Sequence, residues 1–181
     1  MFDNLNEVEV STVTNYLQAG VHKVRVIEVK TSDQREGYTG MPYTEFKVQN
    51  REGIAYLKMS GADNTTSAAA IDIRKKIFAG FLRSAGAKSL NNAPLACKET
   101  VGNDINVLLS SREYWTNDRD TGMPVVKTVV DYKYSTPADQ ALPWTDRYNK
   151  TLSPSDQAAY KAAHDAYINA NSNSAGSDMP F

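Results

Sequence analysis

The feature that most constrains the fold is a strict alternation of apolar and polar residues in the first third of the chain. In the stretch VHKVRVIEVK the apolar positions are Val24 and Val26, after which the alternation shifts by one residue to Ile27 and Val29. A period of two residues is typical of a half-buried β-strand. A shift in mid-strand predicts a β-bulge, at which a long strand can bend from one sheet into another. The chain is therefore expected to begin its fold as a bent β-strand.

Two further strands follow with the same period. YTEFKVQN predicts a second strand and IAYLKMS a third, and Arg51-Glu52-Gly53 between them reads as a turn. The inward positions are Thr44, Phe46 and Val48 on the second strand and Ala55, Leu57 and Met59 on the third. The outward positions are Tyr43, Glu45, Lys47 and Gln49 on the second strand and Ile54, Tyr56 and Lys58 on the third.

A helix and two more strands complete the predicted domain. Residues 65–85 are expected to form a helix, with Asn64 as its cap and Gly86 as its stop. The segment KSLNNAPLACKE is expected to be a loop, residues 105–109 a fourth strand and residues 125–134 a fifth. The apolar stripe of the helix consists of Ile71, Ile77, Phe78, Phe81 and Leu82.

The composition changes after Pro137. The sequence ADQALPWTDRYNK predicts a wrap or linker, and Ser153-Pro154-Ser155-Asp156 is typical of a helix start. The expected boundaries are an N-terminal extension over 1–19, a domain over 20–136, a linker and helix over 137–170, and a flexible tail over 171–181. One face of the helix is expected to pack on the domain or on a neighbour, and it carries Tyr160, Ala163, His164 and Tyr167.

The order of these elements predicts the fold class. Five strands with a helix between the third and fourth are the order of an OB-fold, a mainly β, five-stranded Greek-key barrel. Its binding face is formed by strands two and three, flanked by the loops that join strands one to two and four to five. Both loops end in the same tetrapeptide, Thr-Gly-Met-Pro, at 39–42 and 121–124.

The outward face and the two loops together carry a mixture of cations and aromatic rings. Cations attract the phosphates of a single strand of DNA, and rings stack on its unpaired bases with little regard to sequence. A plainer interpretation exists, because half-buried strands commonly carry Tyr and Lys on their solvent side. The predicted DNA-binding residues are Lys23, Arg25, Arg35, Tyr38, Tyr43, Lys47, Tyr56, Lys58, Arg112, Tyr114, Trp115 and Arg119.

Charge and composition indicate which kinds of partner, cofactor and cellular compartment are to be expected. The net charge is -1, yet residues 20–133 contain 17 Lys and Arg against 13 Asp and Glu, so the positive excess lies between acidic ends. Cys97 is the single cysteine, expected to be a small buried hydrophobe, and the chain has two histidines. Neither a disulfide within the chain nor a Cys- or His-rich metal site is expected, and no cofactor. The absence of a long apolar run and of a signal-like N-terminus predicts a reducing, cytoplasmic compartment and no membrane partner.

The C-terminus carries the most position-specific motif. A polar stretch, NANSNSAGS, precedes SDMPF, and an acidic-x-Pro-Phe end behind a polar linker resembles the tails of bacterial and phage single-stranded-DNA-binding proteins. The motif residues are Asp178, Met179, Pro180 and Phe181, with one acid where that family usually has several. The body is similar to small phage members of the family in Gly20-Val21-His22-Lys23-Val24, Gly37-Tyr38-Thr39-Gly40 and Ser84-Ala85-Gly86. The resemblance implies strand protection in replication, recombination and repair in the host cytoplasm, with the tip binding replication or recombination proteins.

Three other functions stay open at the level of sequence. A metal-dependent nuclease would use Asp118 and Asp120, joined by Asp104 or Glu113, although two-metal sites need several converging carboxylates. The same barrel also suits an interaction protein that binds no nucleic acid, or an RNA-binding protein, because stacking does not distinguish the sugar. We expect no enzymatic activity, and the sequence leaves open whether the chain forms a homo-oligomer.

Overall fold

The computed structural model describes residues 15–174, and in this part of the chain the strands form one antiparallel five-stranded sheet. The strand order across the sheet is β3-β2-β1-β4-β5. The strands are β1 Gly20–Thr31, β2 Tyr43–Gln49, β3 Ile54–Ser60, β4 Asp104–Asn117 and β5 Pro124–Pro137. The helices are α1 Ala68–Ser84, α2 Ala93–Thr100 and α3 Pro154–Ser174. The predicted mainly β class and the helix between the third and fourth strands are confirmed.

The long first strand bends where the alternation shifts. β1 pairs with β4 from Gly20 to Arg25 and with β2 from Arg25 to Thr31, and the register shifts between Val26 and Glu28. The predicted bulge is therefore confirmed. The bulge takes up one extra residue. The apolar side chains before it and after it therefore point to the same side of the sheet, although the alternation in the sequence shifts by one.

The core lies between the inward face of the sheet and α1. The ring of Phe81 on α1 lies 4.4 Å from that of Phe46 on β2 and 5.6 Å from that of Tyr132 on β5, measured between centroids. Phe46 and Phe81 are fully buried, so these aromatic contacts join the two halves of the sheet through the helix. Burial raises the pKa of Tyr132 to about 12, as expected for a hydroxyl that ionises poorly in an apolar site.

The segment KSLNNAPLACKE is partly helical, so the prediction of a loop there was wrong. Asn92 caps α2 by accepting a hydrogen bond from the Leu95 amide at 3.2 Å, and Pro94 occupies the first turn. Ala96 and Cys97 are buried against the core, which confirms the small buried role of the cysteine. An Asn cap followed by Pro was the sequence signal for this short helix.

Two local assignments also differ. The hydroxyl of Ser67, not the side chain of Asn64, caps α1, accepting from the Ala70 amide at 3.3 Å. The helix starts later than predicted because Asp63 holds the residues just before it in a turn, in which the Asp63 carboxylate accepts a hydrogen bond from the Thr65 amide at 2.9 Å. Ile54, predicted to face outward, is only 8% exposed.

Residues 15–17 explain the burial of Ile54. The Leu17 amide donates to the Ile54 carbonyl at 2.8 Å, and the Ile54 amide donates to the Asn15 carbonyl at 2.9 Å. Part of the expected N-terminal extension therefore lies along the edge of β3 and covers the start of that strand.

β4 and β5 are longer than predicted. Each has 14 residues, and they stay paired as far as Asn117 and Pro124. We call the outer part of this hairpin, residues 110–117 and 124–131, the ribbon.

The chain then crosses from one edge of β4 to the other. β5 lies on one edge of β4, whereas Lys150 pairs on the opposite edge, donating to the Ser111 carbonyl at 2.9 Å and accepting from the Glu113 amide at 2.8 Å. Residues 138–149, the crossing segment, must therefore pass over β4. This is the wrap that the sequence predicted after Pro137.

α3 packs against the ribbon. Its first turn is capped by Ser153, whose hydroxyl accepts from the Asp156 amide at 3.1 Å. The Tyr160 ring lies 6.4 Å from that of Trp115, and the Tyr167 hydroxyl donates to the Thr121 carbonyl at 3.0 Å. The predicted packing of this face on the domain is confirmed.

α3 is also longer than expected, because it continues to Ser174 through residues predicted to begin the flexible tail at 171. Within the described residues, no helix has the length and apolar character needed to cross a bilayer. The C-terminal motif, Asp178 to Phe181, lies outside the described residues.

Candidate functional site

The outward side of β2 and β3 presents cations and rings in two adjacent columns. Lys47 lies directly opposite Tyr56, and Tyr43 lies at the end of the pairing, opposite Ser60. Lys58 projects from the same side, while Phe46, Val48 and Leu57 are buried on the other side. The inward and outward sides predicted for β2 and β3 agree with this arrangement. We call Tyr43, Lys47, Tyr56 and Lys58 the candidate face.

At one end of the candidate face, the β1–β2 loop adds a cation and a ring. The Lys58 ammonium lies 4.0 Å from the centroid of the Tyr43 ring, and Tyr38 meets that ring edge-on at 5.3 Å. The Arg35 guanidinium lies 5.6 Å from the Tyr38 ring. The structure thus brings these four predicted residues together, alternating charge and aromatic surface. The Tyr38 hydroxyl donates to the Met41 carbonyl at 2.9 Å, which holds the loop on this end.

At the other end, β1 contributes Lys23 and Arg25. Arg25 forms a bidentate ion pair with Asp104, with nitrogen to oxygen distances of 2.8 and 3.2 Å. These hydrogen bonds from Arg25 hold the pKa of the Asp104 carboxyl below its usual value. Lys23 is exposed and has no ion pair among the described residues. Lys23 is therefore the freer of the two cations for a polyanion.

The predicted residues of the ribbon do not share one side. Arg112 and Tyr114 project from one face of β4, and Arg112 is paired with Asp131 at 3.0 Å. Trp115 projects from the opposite face and is half-buried against Tyr160 of α3. The expectation that Trp115 lies on an open surface was wrong, because the C-terminal helix returns to cover that face. Arg119 is exposed in the turn at the tip of the ribbon.

The crossing segment separates the ribbon from the candidate face. On β4, Leu108 and Ser110 alternate with core residues and so turn outward, yet they are 2% and 0% exposed. The side-chain amide of Asn106, on the same outward side, donates to the Gln140 carbonyl at 2.7 Å. The crossing segment therefore contacts the outward side of β4 at Asn106, next to the buried positions Leu108 and Ser110.

Two residues that the sequence did not single out lie beside the candidate face. Tyr16 is 61% exposed, and its ring lies 6.5 Å from that of Tyr56. Arg51 lies exposed in the turn between β2 and β3. The available signal was weak in each case: an aromatic residue just before the first strand, and a charged residue in a turn, where charge is common.

Three of the four acids considered for a metal site, Asp104, Glu113 and Asp118, have other partners. Asp118 accepts hydrogen bonds from the amide and the hydroxyl of Thr121, both at 3.0 Å, and from the Asp120 amide at 3.1 Å, which lower the pKa of its carboxyl and shape the turn. Glu113 accepts from the Leu152 amide at 3.2 Å. In the part of the chain that the structure describes, no group of three or more His, Cys, Asp or Glu residues is placed to hold a metal ion.

No protein-family model matches this chain, and no curated protein matches it. The interpretation of the site therefore depends on its own geometry.

Proposed function

We propose that the protein binds single-stranded DNA without sequence preference and protects it during phage replication, recombination and repair. The observation that carries the proposal is the candidate face, where Lys47 lies opposite Tyr56 and the Lys58 ammonium lies over the Tyr43 ring on one side of the sheet. Glu45, opposite Lys58, is the one carboxylate on the same side of these two strands. Phosphates of a single strand would meet the ammonium groups while its bases stack on the rings. Such a face needs no catalytic group, and the proposal includes no chemical step.

We further propose that the sheet is an OB-fold barrel. Three features support this: a bent β1 shared between β2 and β4, the helix α1 placed between β3 and β4, and contacts of α1 with both β3 and β5. In an OB-fold the side of strands two and three is the usual nucleic-acid surface. That side is where the candidate face lies.

The proposal extends to the C-terminal motif. Asp178 to Phe181 would bind a replication or recombination protein through the apolar ring and the carboxylates, while the domain holds DNA in the cytoplasm of the host. Self-association of the chain is compatible with this arrangement.

A fluorescence-anisotropy titration tests the proposal, using single-stranded DNA, duplex DNA and RNA of equal length with and without magnesium. We expect preferential binding to the single strand and no shortening of it. If about four to six phosphates are neutralised, log K should fall against log salt with a slope of about -3 to -4. Equal affinity for duplex, or an affinity independent of salt, would contradict the proposal, and tighter binding to RNA would transfer it to that polymer.

Variants of the candidate face give the same test at the level of residues. Tyr43→Ala or Tyr56→Ala should weaken binding by about 1–3 kcal/mol through lost stacking. Lys47→Ala or Lys58→Ala should lower the salt slope by about one unit. Lys98→Ala, which removes an exposed lysine from α2, is the matched control and should bind like the parent.

A further inference from the structure

Two grooves meet at the turn between β2 and β3. One, of about 460 Å³, is lined by Tyr16, Lys47 and Tyr56. The other, of about 840 Å³, is lined by Lys23 and Arg25 on β1, near the bulge. Both are also lined by Gln49, Asn50 and Arg51. Together they form one continuous path from the edge of β3, across β2, to β1.

Tyr16 is fixed at the start of this path. The backbone bonds of its neighbours Asn15 and Leu17 to Ile54 place it alongside β3. The parallel bridge with Ile54 turns its side chain to the same side as Tyr56, where the two rings lie 6.5 Å apart. Two neighbouring exposed rings make a platform for unpaired bases.

Arg51 is held at the middle of the path by the geometry of its turn. The side-chain oxygen of Asn50 accepts from the Glu52 amide at 2.8 Å and from the Gly53 amide at 3.1 Å. The side-chain amide of Asn50 donates to the Lys23 carbonyl at 3.3 Å, which fastens the turn to β1. The backbone at Arg51 is therefore held by hydrogen bonds in a turn that is itself bonded to β1 at Lys23.

The charges along the path favour phosphate. Lys23, Lys47 and Arg51 have no ion pair within residues 15–174. Of the two carboxylates that line the grooves, Asp104 pairs with Arg25 at 2.8 Å, whereas Glu52 lies 3.3 Å from the ring nitrogen Nδ1 of His22, a contact that is an ion pair only when the imidazole is protonated. Three cations are thus available to phosphates along this line.

The alternative path, along the ribbon, is less open. The crossing segment contacts the outward side of β4 at Asn106, and Leu108 and Ser110 beyond it are buried. Arg112 is paired with Asp131, and the Trp115 ring lies against α3. A strand that followed the ribbon would have to pass over that segment to reach Tyr114.

We propose that Tyr16 and Arg51 are DNA-binding residues, and that the single strand passes from the Tyr16–Tyr56 platform over Arg51 to Lys23 rather than along the ribbon. This inference rests on the proposed function. It assigns to the N-terminal segment at residues 15–17 and to the β2–β3 turn a role that the ribbon and the loop at its tip would otherwise take.

The test uses the full chain and a fluorescently labelled oligothymidine in anisotropy titrations at several salt concentrations. Tyr16→Ala should weaken binding on the order of tenfold or more, whereas Tyr16→Phe, which keeps the ring, should bind like the parent. Tyr134→Ala is the matched control, because Tyr134 is 59% exposed, close to the exposure of Tyr16, and lies off the path. Arg51→Ala should lower the salt slope by about one unit, and Arg83→Ala, an exposed arginine on α1, should not.

The outcomes separate the two proposals. If the parent binds and both Tyr16→Ala and Arg51→Ala bind like it, the path is wrong while the proposed function stands. Weakening by Tyr114→Ala and Arg119→Ala without any effect of Tyr16→Ala would place the strand on the ribbon instead. Failure of the parent to bind single-stranded DNA would overturn the proposed function and this inference with it. Melting curves of each variant identify any loss that comes from unfolding.

Discussion

Tyr43 is the residue at which the contacts of the candidate face converge. Its amide donates to the Ser32 hydroxyl at 3.0 Å, Tyr38 meets its ring edge, and the Lys58 ammonium lies over its ring at 4.0 Å. A base that stacks on Tyr43 must therefore share the ring with Lys58 or draw the ammonium towards a phosphate. Tyr56 carries no such cation in the described contacts and is 44% exposed, so it offers the freer ring.

Trp115 is expected to matter for stability rather than for DNA binding. Its ring is half-buried against Tyr160, so Trp115→Ala should loosen α3 from the ribbon and lower the free energy of unfolding by about 1–2 kcal/mol. This is less than the roughly 3–5 kcal/mol of a fully buried aromatic side chain, because part of the ring is already exposed. Chemical denaturation measures the change, and anisotropy should show an unchanged affinity for single-stranded DNA.

The neighbours of Trp115 supply the controls. Tyr160→Ala should reproduce the loss of stability, since it removes the other half of the contact. Tyr114→Ala, on the opposite face of β4, should leave the unfolding free energy nearly unchanged. A Trp115→Ala protein that is fully stable but binds DNA poorly would show that the ring serves the ligand and not the helix.

At the scale of elements, the period of the apolar residues correctly predicted the features of the strands that depend only on neighbouring residues. The alternation at Val24, Val26 and Val29 indicated both faces of β1 and the position of its bulge, and the same period indicated the inward and outward faces of β2 and β3. α2 was missed because eight residues are too few for a clear helical period, although Asn92 and Pro94 mark its start.

Contacts between distant segments could not be predicted in this way. The burial of Ile54 depends on residues 15–17, and the covering of Trp115 depends on a helix some 40 positions further along the chain. Alternation indicates which side chains face outward but not what later returns to cover them. The composition of the candidate face was therefore predictable, whereas the division between that face and the ribbon was not.

Gly53 allows the N-terminal segment to reach β3. A Cβ at this position would overlap the carbonyl oxygen of Asn15, so Gly53→Ala should push residues 15–17 away from the strand. We expect a lower melting temperature and a weaker affinity for single-stranded DNA, similar to that of Tyr16→Ala. Thermal unfolding and anisotropy measure the two effects.

Gly80→Ala is the comparison for this substitution. Gly80 lies within α1 and a Cβ there meets nothing within 4 Å, so alanine should stabilise the helix by about 0.5–1 kcal/mol and leave DNA binding unchanged. Parent-like stability and affinity of Gly53→Ala would mean that the segment at 15–17 adjusts without losing its place.

The net charge of the whole molecule is small, but the charges are unevenly distributed along the chain. The net charge is -1, while residues 20–133 carry an excess of positive charge and residues 1–19 carry three acids and no base. A weak overall field gives little long-range attraction to a polyanion, so affinity should depend on contacts at the candidate face. We expect the acids of the two ends to compete weakly with phosphate for the same cations.

Removal of residues 178–181 tests whether the domain binds DNA and the tail binds a protein partner independently of each other. The deletion takes away one acid and no cation, and it leaves every described residue of the core and of the candidate face in place. The melting temperature should therefore stay the same, and the affinity for single-stranded DNA should stay the same or rise slightly. Binding to a replication or recombination partner should be lost, as a pulldown from infected-cell extract would measure against the full-length chain.

Phe181→Ala should reproduce most of that loss, because a buried aromatic anchor tends to dominate a small interface. Asp178→Asn should have a smaller effect that fades as salt rises, since an exposed charge at the rim of an interface is screened. Identical partner lists for the full-length and truncated proteins would show that the terminal motif recruits nothing. The proposed DNA binding would then depend on the domain alone, through the candidate face and the path from Tyr16 over Arg51 to Lys23.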